Sequence, residues 1–216
     1  MSTTAPFETL TEEYDGWYEA NAGAYRSEQA ALERALPETF DHAAEIGVGT
    51  GRFAAPLSIP VGVDPAKTPL EFARDRGIES VRGVAEQLPI ADDTLEVALV
   101  VATLCFVDDV DATLSEARRA LADDGVCVIG TLDCSSPIGQ VYEEHKDENP
   151  FYADAEFLAA SEVCDALKAA GFELEGRWQT VFEEPATLEA PSLEDADVRE
   201  GHGEGLFAVI KARPTP

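Results

Sequence analysis

The sequence predicts an α/β domain whose mostly parallel sheet is flanked by helices, and three observations carry that expectation. Short apolar runs alternate with helical patterns through the middle of the chain, the signature of parallel strands joined by crossover helices. One run, "LEVALVVATLCF" from Leu95, is apolar enough for a central strand buried on both faces. A glycine-rich turn, "AAEIGVGTGRF" from Ala43 to Phe53, follows the first apolar run, and such turns point backbone amides at a ligand.

Taken in chain order, Thr11 to Leu36 reads as two short helices broken near "NAGAY" and closed by Pro37. This gives a small helical cap over residues 1–40, ahead of one structural unit over 41–216. Strands are expected at Ala43 to Ile46, Ile59 to Val63, Glu79 to Arg82, Leu95 to Ala102 and Val126 to Leu132. Between the last two, Leu114, Ala117 and Leu121 mark a helix over Asp111 to Leu121 that stops at "ADDG", with Gly125 suited to a left-handed turn. Ser161 is expected to cap a helix whose face is Val163, Ala166, Leu167 and Ala170 and which ends at Gly171. Two further strand-like runs, "FELEGRWQTVF" and "GLFAVIKA", flank the Pro- and acid-rich stretch Glu183 to Gly205 and fit an antiparallel hairpin at the sheet edge. No internal repeat or long linker divides the 216 residues.

The chain carries 43 acidic and 15 basic residues, a net charge of -28. Phosphates would be repelled, which argues against a nucleic-acid partner. The carboxylates are spread from Glu8 to Glu204, and lysine occurs only at 67, 146, 168 and 211. That pattern fits a surface adapted to concentrated salt, where screening shortens to about 3 Å at 1 M. The four cysteines form no C-x-x-C pair and the three histidines stand far apart, so no metal site is suggested. Cys105 and Cys127 lie in apolar runs, where cysteine packs as a small core residue. No run approaches the roughly 20 apolar residues that span a bilayer, and no secretory signal is evident. A cytoplasmic protein without a membrane partner is expected.

The glycine turn discriminates among ligands. The phosphate loop G-x-x-x-x-G-K-[ST] is absent, and in a dinucleotide fingerprint G-x-G-x-x-G counted from Gly47 and Gly49 the third glycine falls on Arg52. What stands here is an acid-x-G-x-G-x-G pattern, Glu45 preceding Gly47, Gly49 and Gly51. A carboxylate there repels a pyrophosphate and attracts an ammonium group. Further on, "IPVGVDPA" ends a strand on Asp64, placed to accept from both hydroxyls of a ribose. The ligand should therefore carry both a cation and a nucleoside.

From about Tyr14 to the last strand, these residues resemble the class I methyltransferases that use S-adenosylmethionine. The resemblance implies a Rossmann-like, mostly parallel seven-stranded sheet with the last strand antiparallel. It implies that Glu45, Gly47, Gly49 and Gly51 hold the amino acid part of the cofactor and that Asp64 holds the ribose. "VRGVAEQLPIADD" resembles the next family motif, which places Ala85 and Glu86 beside the adenine. Val84 stands where the family has an Asp that accepts from the adenine amine. "VVATLCFVDD" resembles the fourth strand and its loop, so that Thr103 to Phe106 border the methionine part and the methyl group. Near the N-terminus "YDGWYEANAGAY" resembles the Y-D-x-W segment of the ubiquinone and menaquinone methyltransferase-like subgroup (type 11), where Tyr14 and Trp17 cover the cofactor.

The resemblance also implies a lid over residues 134–160, the insertion after the fifth strand. Substrate contacts are expected from Tyr18, Tyr25, Phe106, Tyr142 and His145. His145, Glu143 and Glu144 in "VYEEHKDENPFY" are candidate bases, although no triad or carboxylate pair is present and no catalytic residue is assigned. Methyl transfer to a small-molecule acceptor is the expected function. A nicotinamide-dependent oxidoreductase is disfavoured by Arg52 and Glu45, and a non-catalytic cofactor-binding protein of the same fold would bind without turnover. Oligomeric state is left open.

Overall fold

The computed structural model describes residues 4–215; residues 1–3 and 216, which fall in the expected cap and main unit, lie outside them. The N-terminal segment forms three helices, α1 (Ala5–Thr9), α2 (Thr11–Ala20) and α3 (Ala22–Ala35). The break between α2 and α3 falls at Asn21, inside "NAGAY", as the sequence predicts. Helix α1 is an addition to that expectation. Its Glu8 carboxylate accepts from Thr68 N at 3.0 Å and Thr68 Oγ1 at 2.7 Å and so caps α4 (Lys67–Asp75), the end of a helix that favours negative charge.

The remaining elements are β1 (Ala43–Ile46), β2 (Val61–Asp64), β3 (Glu79–Arg82), β4 (Leu95–Val101), α5 (Val110–Ala120), β5 (Leu121–Leu132), α6 (Pro137–His145), α7 (Ala160–Ala169), β6 (Phe172–Thr180), β7 (Arg199–Glu200) and β8 (Phe207–Pro214). The sheet order is β3-β2-β1-β4-β5-β8-β6-β7. Strands β1 to β5 are parallel, and β8 runs antiparallel to both β5 and β6. Seven substantial strands are joined by the two-residue β7 at the edge, so the expected Rossmann-like architecture with an antiparallel last strand is the one observed. Strand β4 is buried at every position but Glu96, which is the central position its composition demands.

Three local expectations are corrected. Gly125 has no positive φ: β5 begins directly at Leu121, which pairs with Leu95, and Gly125 is needed because a Cβ there would stand 2.8 Å from the Leu95 carbonyl oxygen. Helix α7 is capped at Ala159, not Ser161, with the Glu162 carboxylate accepting from Ala159 N at 2.8 Å and Asp133 Oδ1 from Ala160 N at 3.1 Å. The C-terminal pair is no simple edge hairpin, since β8 inserts between β5 and β6.

Two apolar layers cover the sheet. One face packs α3 and the N-terminal half through Leu32, Phe53, Leu70 and Phe207. The other packs α5 and α7 through Leu114, Val163 and Leu167. Both faces of the strands are thereby closed, and their carboxyl ends are left to build a site.

Candidate cofactor site

Strand β1 lies between β2 and β4, so the connections leave it in opposite directions and a crevice opens at the strand tips. The glycine turn after β1 fills this point. Gly47 has φ +79, and a Cβ there would meet Thr103 Oγ1 at 2.1 Å, so only glycine fits beside the loop after β4. Gly49, also left-handed at φ +49, donates its N–H to Asp64 Oδ2 at 2.9 Å. The other Asp64 oxygen accepts from Ala66 N at 2.8 Å. Burial pushes the Asp64 carboxyl up, against these two amide bonds that pull it down.

A cavity of about 250 Å³ runs across these tips. Of the residues singled out in the sequence, Tyr14, Trp17, Tyr18, Gly47, Gly49, Asp64, Ala85, Glu86, Thr103 and Phe106 line it. Val84 lines it too and is 45% exposed, with no carboxylate in its place. Glu86 Oε1 accepts from Asp108 N at 2.9 Å and ties the loop after β3 to the loop after β4. A roof of aromatic rings closes over this end: Phe7 lies 5.2 Å from both Tyr14 and Phe106, and Tyr14 lies 5.6 Å from Phe151. Phe151 and its neighbours Asn149 and Tyr152, which also line the cavity, come from within residues 134–160.

Five of the singled-out residues do not line it. Glu45 is 2% exposed beneath the turn, with Oε2 sealed away from any partner, and burial raises its carboxyl well above the ordinary range. Gly51 packs against Ala73 and Ile78. Tyr25 donates its hydroxyl to the Arg52 carbonyl. Tyr142 stacks 5.9 Å from Tyr152. His145 is exposed, with Nδ1 at 3.0 Å from the Val141 carbonyl one turn back. The other two base candidates, Glu143 and Glu144, are exposed, and Glu143 pairs with Lys146 at 2.8 Å. Cys105 is buried and its thiol is pushed up to about 12 by desolvation, in keeping with a packing role.

Sequence reasoning missed two parts of the site. The first is an ion cluster under the cap: Asp15 on α2 accepts from Arg52 Nε at 2.9 Å and from Arg76 at 2.8 Å, and Arg52 also reaches Glu19 at 3.1 Å. Burial pushes Asp15 up, but the bonds from Arg52, Thr50 and Arg76 outweigh it and hold the carboxyl below its ordinary value. Arg52, the residue that breaks the dinucleotide fingerprint, thus pins α2 to the glycine turn. The second is Glu28 on α3, 4% exposed and on the cavity wall. Its signal was present in the sequence: Ala24, Glu28, Ala31, Leu32 and Ala35 share one helical face.

The site fits a nucleoside-bearing cation of the S-adenosylmethionine kind. The left-handed Gly47 and Gly49 leave a cradle with no side chain, the Asp64 carboxylate stands at the tip of β2, and aromatic faces of the sort that attract sulfonium or ammonium groups roof the space. Such a crevice lies at the strand tips of an open α/β sheet, where that architecture binds its ligands. The Methyltransferase domain family model matches residues 44–129, from β1 into β5. An uncharacterized protein of Methanocaldococcus jannaschii is 39% identical over 206 residues, 95% of this chain and 97% of that one. An uncharacterized protein of Mycobacterium tuberculosis is 40% identical over 80% of this chain and 61% of its own length. Among solved structures, an S-adenosylmethionine-dependent methyltransferase of Thermotoga maritima, called a possible histamine N-methyltransferase, superposes with a TM-score of 0.91 at 42% identity over 97% of this chain and 98% of that one. The chain belongs to the class I S-adenosylmethionine-dependent methyltransferases, and S-adenosylmethionine is its cofactor.

Proposed function

We propose that the protein transfers a methyl group from S-adenosylmethionine to a small-molecule acceptor bound in the same cavity. The observation that carries this reading is the extent of the cavity, which continues past the cofactor-type features at β2, β1 and β4 to Leu132 and Phe207 at the ends of β5 and β8. From β2 to β8 is four strand spacings, roughly 19 Å, so the end of the cavity at β5 and β8 lies well beyond the cofactor-type features. S-adenosylmethionine, when bound, supplies an activated methyl on a sulfonium.

The chain's own residues orient and enclose. Asp64 accepts from the ribose hydroxyls with the lone pairs its amide bonds leave free. Gly47 and Gly49 give room to the amino acid part, with Glu45 biasing the turn from below. Ala85 and Glu86 border the adenine, and Thr103 and Phe106 border the reacting centre. Tyr14 and Trp17 on the cap over residues 1–40, and Phe151 and Tyr152 on a lid over residues 134–160, exclude water, and alignment of this kind supplies about 7–11 kcal/mol of a bimolecular barrier. The charge of -28 we read as adaptation to concentrated salt.

Isothermal titration of the protein with S-adenosylmethionine, S-adenosylhomocysteine and reduced nicotinamide dinucleotide tests the reading. The first two should bind in the micromolar range and the third should not. Binding of the dinucleotide alone would overturn it.

A further inference from the structure

Glu28 is the most anomalous side chain near the site. It lies on the sheet-facing side of α3, which packs on β5, β6 and β8, so it stands at the far end of the cavity from Asp64. It is 4% exposed, no hydrogen bond or ion pair joins its carboxyl to a described residue, and its oxygens are not among the atoms sealed from the cavity. An unpaired buried carboxyl costs several kcal/mol if ionised. Tyr14 and Tyr18 from α2 and Tyr152 lie close enough to feel its charge, and Trp17 and Phe207 line the same cavity.

We propose that Glu28 is the recognition and proton-accepting residue of the acceptor subsite, and that the acceptor is a small primary or secondary amine with an apolar or aromatic body. The inference rests on the methyl-transfer reading above. A carboxyl in an aromatic box lacks one thing, a cation, and an ammonium group supplies it by ion pairing and by cation–π attraction to the rings. A neutral hydroxyl supplies no counter-charge and can only hydrogen-bond the protonated carboxyl, and an anion gains nothing by ionising it.

The chemistry follows from the pairing. The ammonium nitrogen gives one proton to the Glu28 carboxylate, and its freed lone pair bonds to the methyl carbon. The carbon–sulfur bond breaks with its electron pair left on sulfur. The product leaves as an N-methylammonium ion, and Glu28 returns the proton to solvent. Burial lifts the empty-site carboxyl to about 8, close to the pH at which a general base works best. The groups facing it are the tyrosines 14 and 18 from α2, 25 from its own helix, 142 from α6 and 152 from the segment after it, all themselves raised by burial. No basic side chain contributes to its shift.

The test uses the full chain saturated with S-adenosylhomocysteine, with 2-phenylethylamine and tryptamine as amines, 2-phenylethanol as the neutral probe and 3-phenylpropionate as the anion. Calorimetry at pH 7 in two buffers of different ionisation enthalpy should show at least tenfold preference for an amine over the alcohol. It should also show release of close to one proton per amine, as Glu28 ionises against the ammonium. Glu28→Gln should lose both the preference and the proton release while its S-adenosylhomocysteine affinity stays within twofold, and Glu28→Asp should retain part of the preference. Absence of amine binding at millimolar concentration, equal binding of amine and alcohol, or unchanged proton release in Glu28→Gln would overturn the proposal. Loss of S-adenosylhomocysteine binding in Glu28→Gln would also overturn it by moving Glu28 to the cofactor. Failure of the wild type to bind S-adenosylhomocysteine at all would refute methyl transfer itself, and amine binding measured without it separates the two failures.

Discussion

Gly49 donates its backbone N–H to Asp64 Oδ2 at 2.9 Å, and this side-chain bond joins the two backbone bonds, from Gly47 N at 2.7 Å and Val48 N at 3.1 Å to the Val63 carbonyl, that hold the turn after β1 to the tip of β2. The same carboxylate therefore shapes the glycine turn and faces the cavity. Replacing it would remove the proposed ribose acceptor and loosen the neighbouring turn at once.

Asp64→Ala is expected to weaken S-adenosylmethionine binding by about 2–4 kcal/mol, roughly 30- to 1000-fold, the value of charge-assisted bonds to two hydroxyls. Titration at fixed salt checks it, and an unchanged affinity would remove Asp64 from the ribose.

Gly47→Ala places a Cβ 2.1 Å from Thr103 Oγ1 at φ +79. A cost of about 1–3 kcal/mol in strain is expected, visible as a lower unfolding midpoint. Pairing it with Thr103→Ala should recover part of the loss by relieving the clash but not the dihedral.

Asp15→Asn leaves Arg52 and Arg76 without the carboxylate they share. Asp15 is held low, so its contribution to stability is complete above the ordinary carboxylate pKa and fades as the pH falls through the lowered value. Wild type should lose stability in acid by this route, and the variant should lack that part of the acid transition. At pH 7 the variant should be less stable by about 2 kcal/mol, discounted for partial exposure.

Glu28 gives the opposite sign. Its folded-state pKa, about 8 against an ordinary 4.5, lies above the unfolded one, so the folded chain holds the extra proton in between. Stability from this residue is complete below about 4.5 and falls as the pH rises to 8, with a slope of up to about 1.4 kcal/mol per unit. Denaturant titrations of wild type and Glu28→Gln from pH 5 to 8 should diverge in the variant's favour. Parallel curves would mean that the carboxyl is already ionised and paired.

If the acidity is salt adaptation, the unfolding midpoint should fall steeply when KCl is lowered from 2 M to 0.1 M, as screening lengthens to about 10 Å. An uncharged osmolyte at matched osmolarity should fail to restore it. A flat response would make the charge a binding surface instead.

Much of the fold was legible because parallel strands buried on both faces must be apolar throughout, as in β4, and because Pro37 and "NAGAY" punctuate the cap. The glycine turn was legible because left-handed backbone and the close approach of Thr103 admit few residue types, and the place of Asp64 because it ends an apolar strand at the sheet's carboxyl edge. The parts that were not depend on long-range pairing. Arg52 meets Asp15 only after α2 has folded back over the turn, and Glu28 sits inside only because the sheet to which α3 docks runs on through β8 and β6. Gly125 looked like a turn because its close neighbour, the Leu95 carbonyl, lies on another strand. Local chemistry misplaced the α7 cap for a similar reason: Asp133, 27 residues upstream, supplies the acceptor for Ala160 N.

The position of β8 bears on the order in which the molecule can assemble. Strand β8 follows β6 and β7 in the chain yet lies between β5 and β6, so β6, with β7 paired to it, has no place in the main sheet until residues 207–214 have emerged. The cap, whose Asp15 pairs with Arg52 and Arg76 further along the chain, must likewise wait for them. The cap and β8 thus close the structure late, and pairings of such wide sequence separation slow folding. An incomplete chain would expose unpaired edges on β5 and β6, and a high negative charge on every copy is one physical means of keeping such intermediates apart.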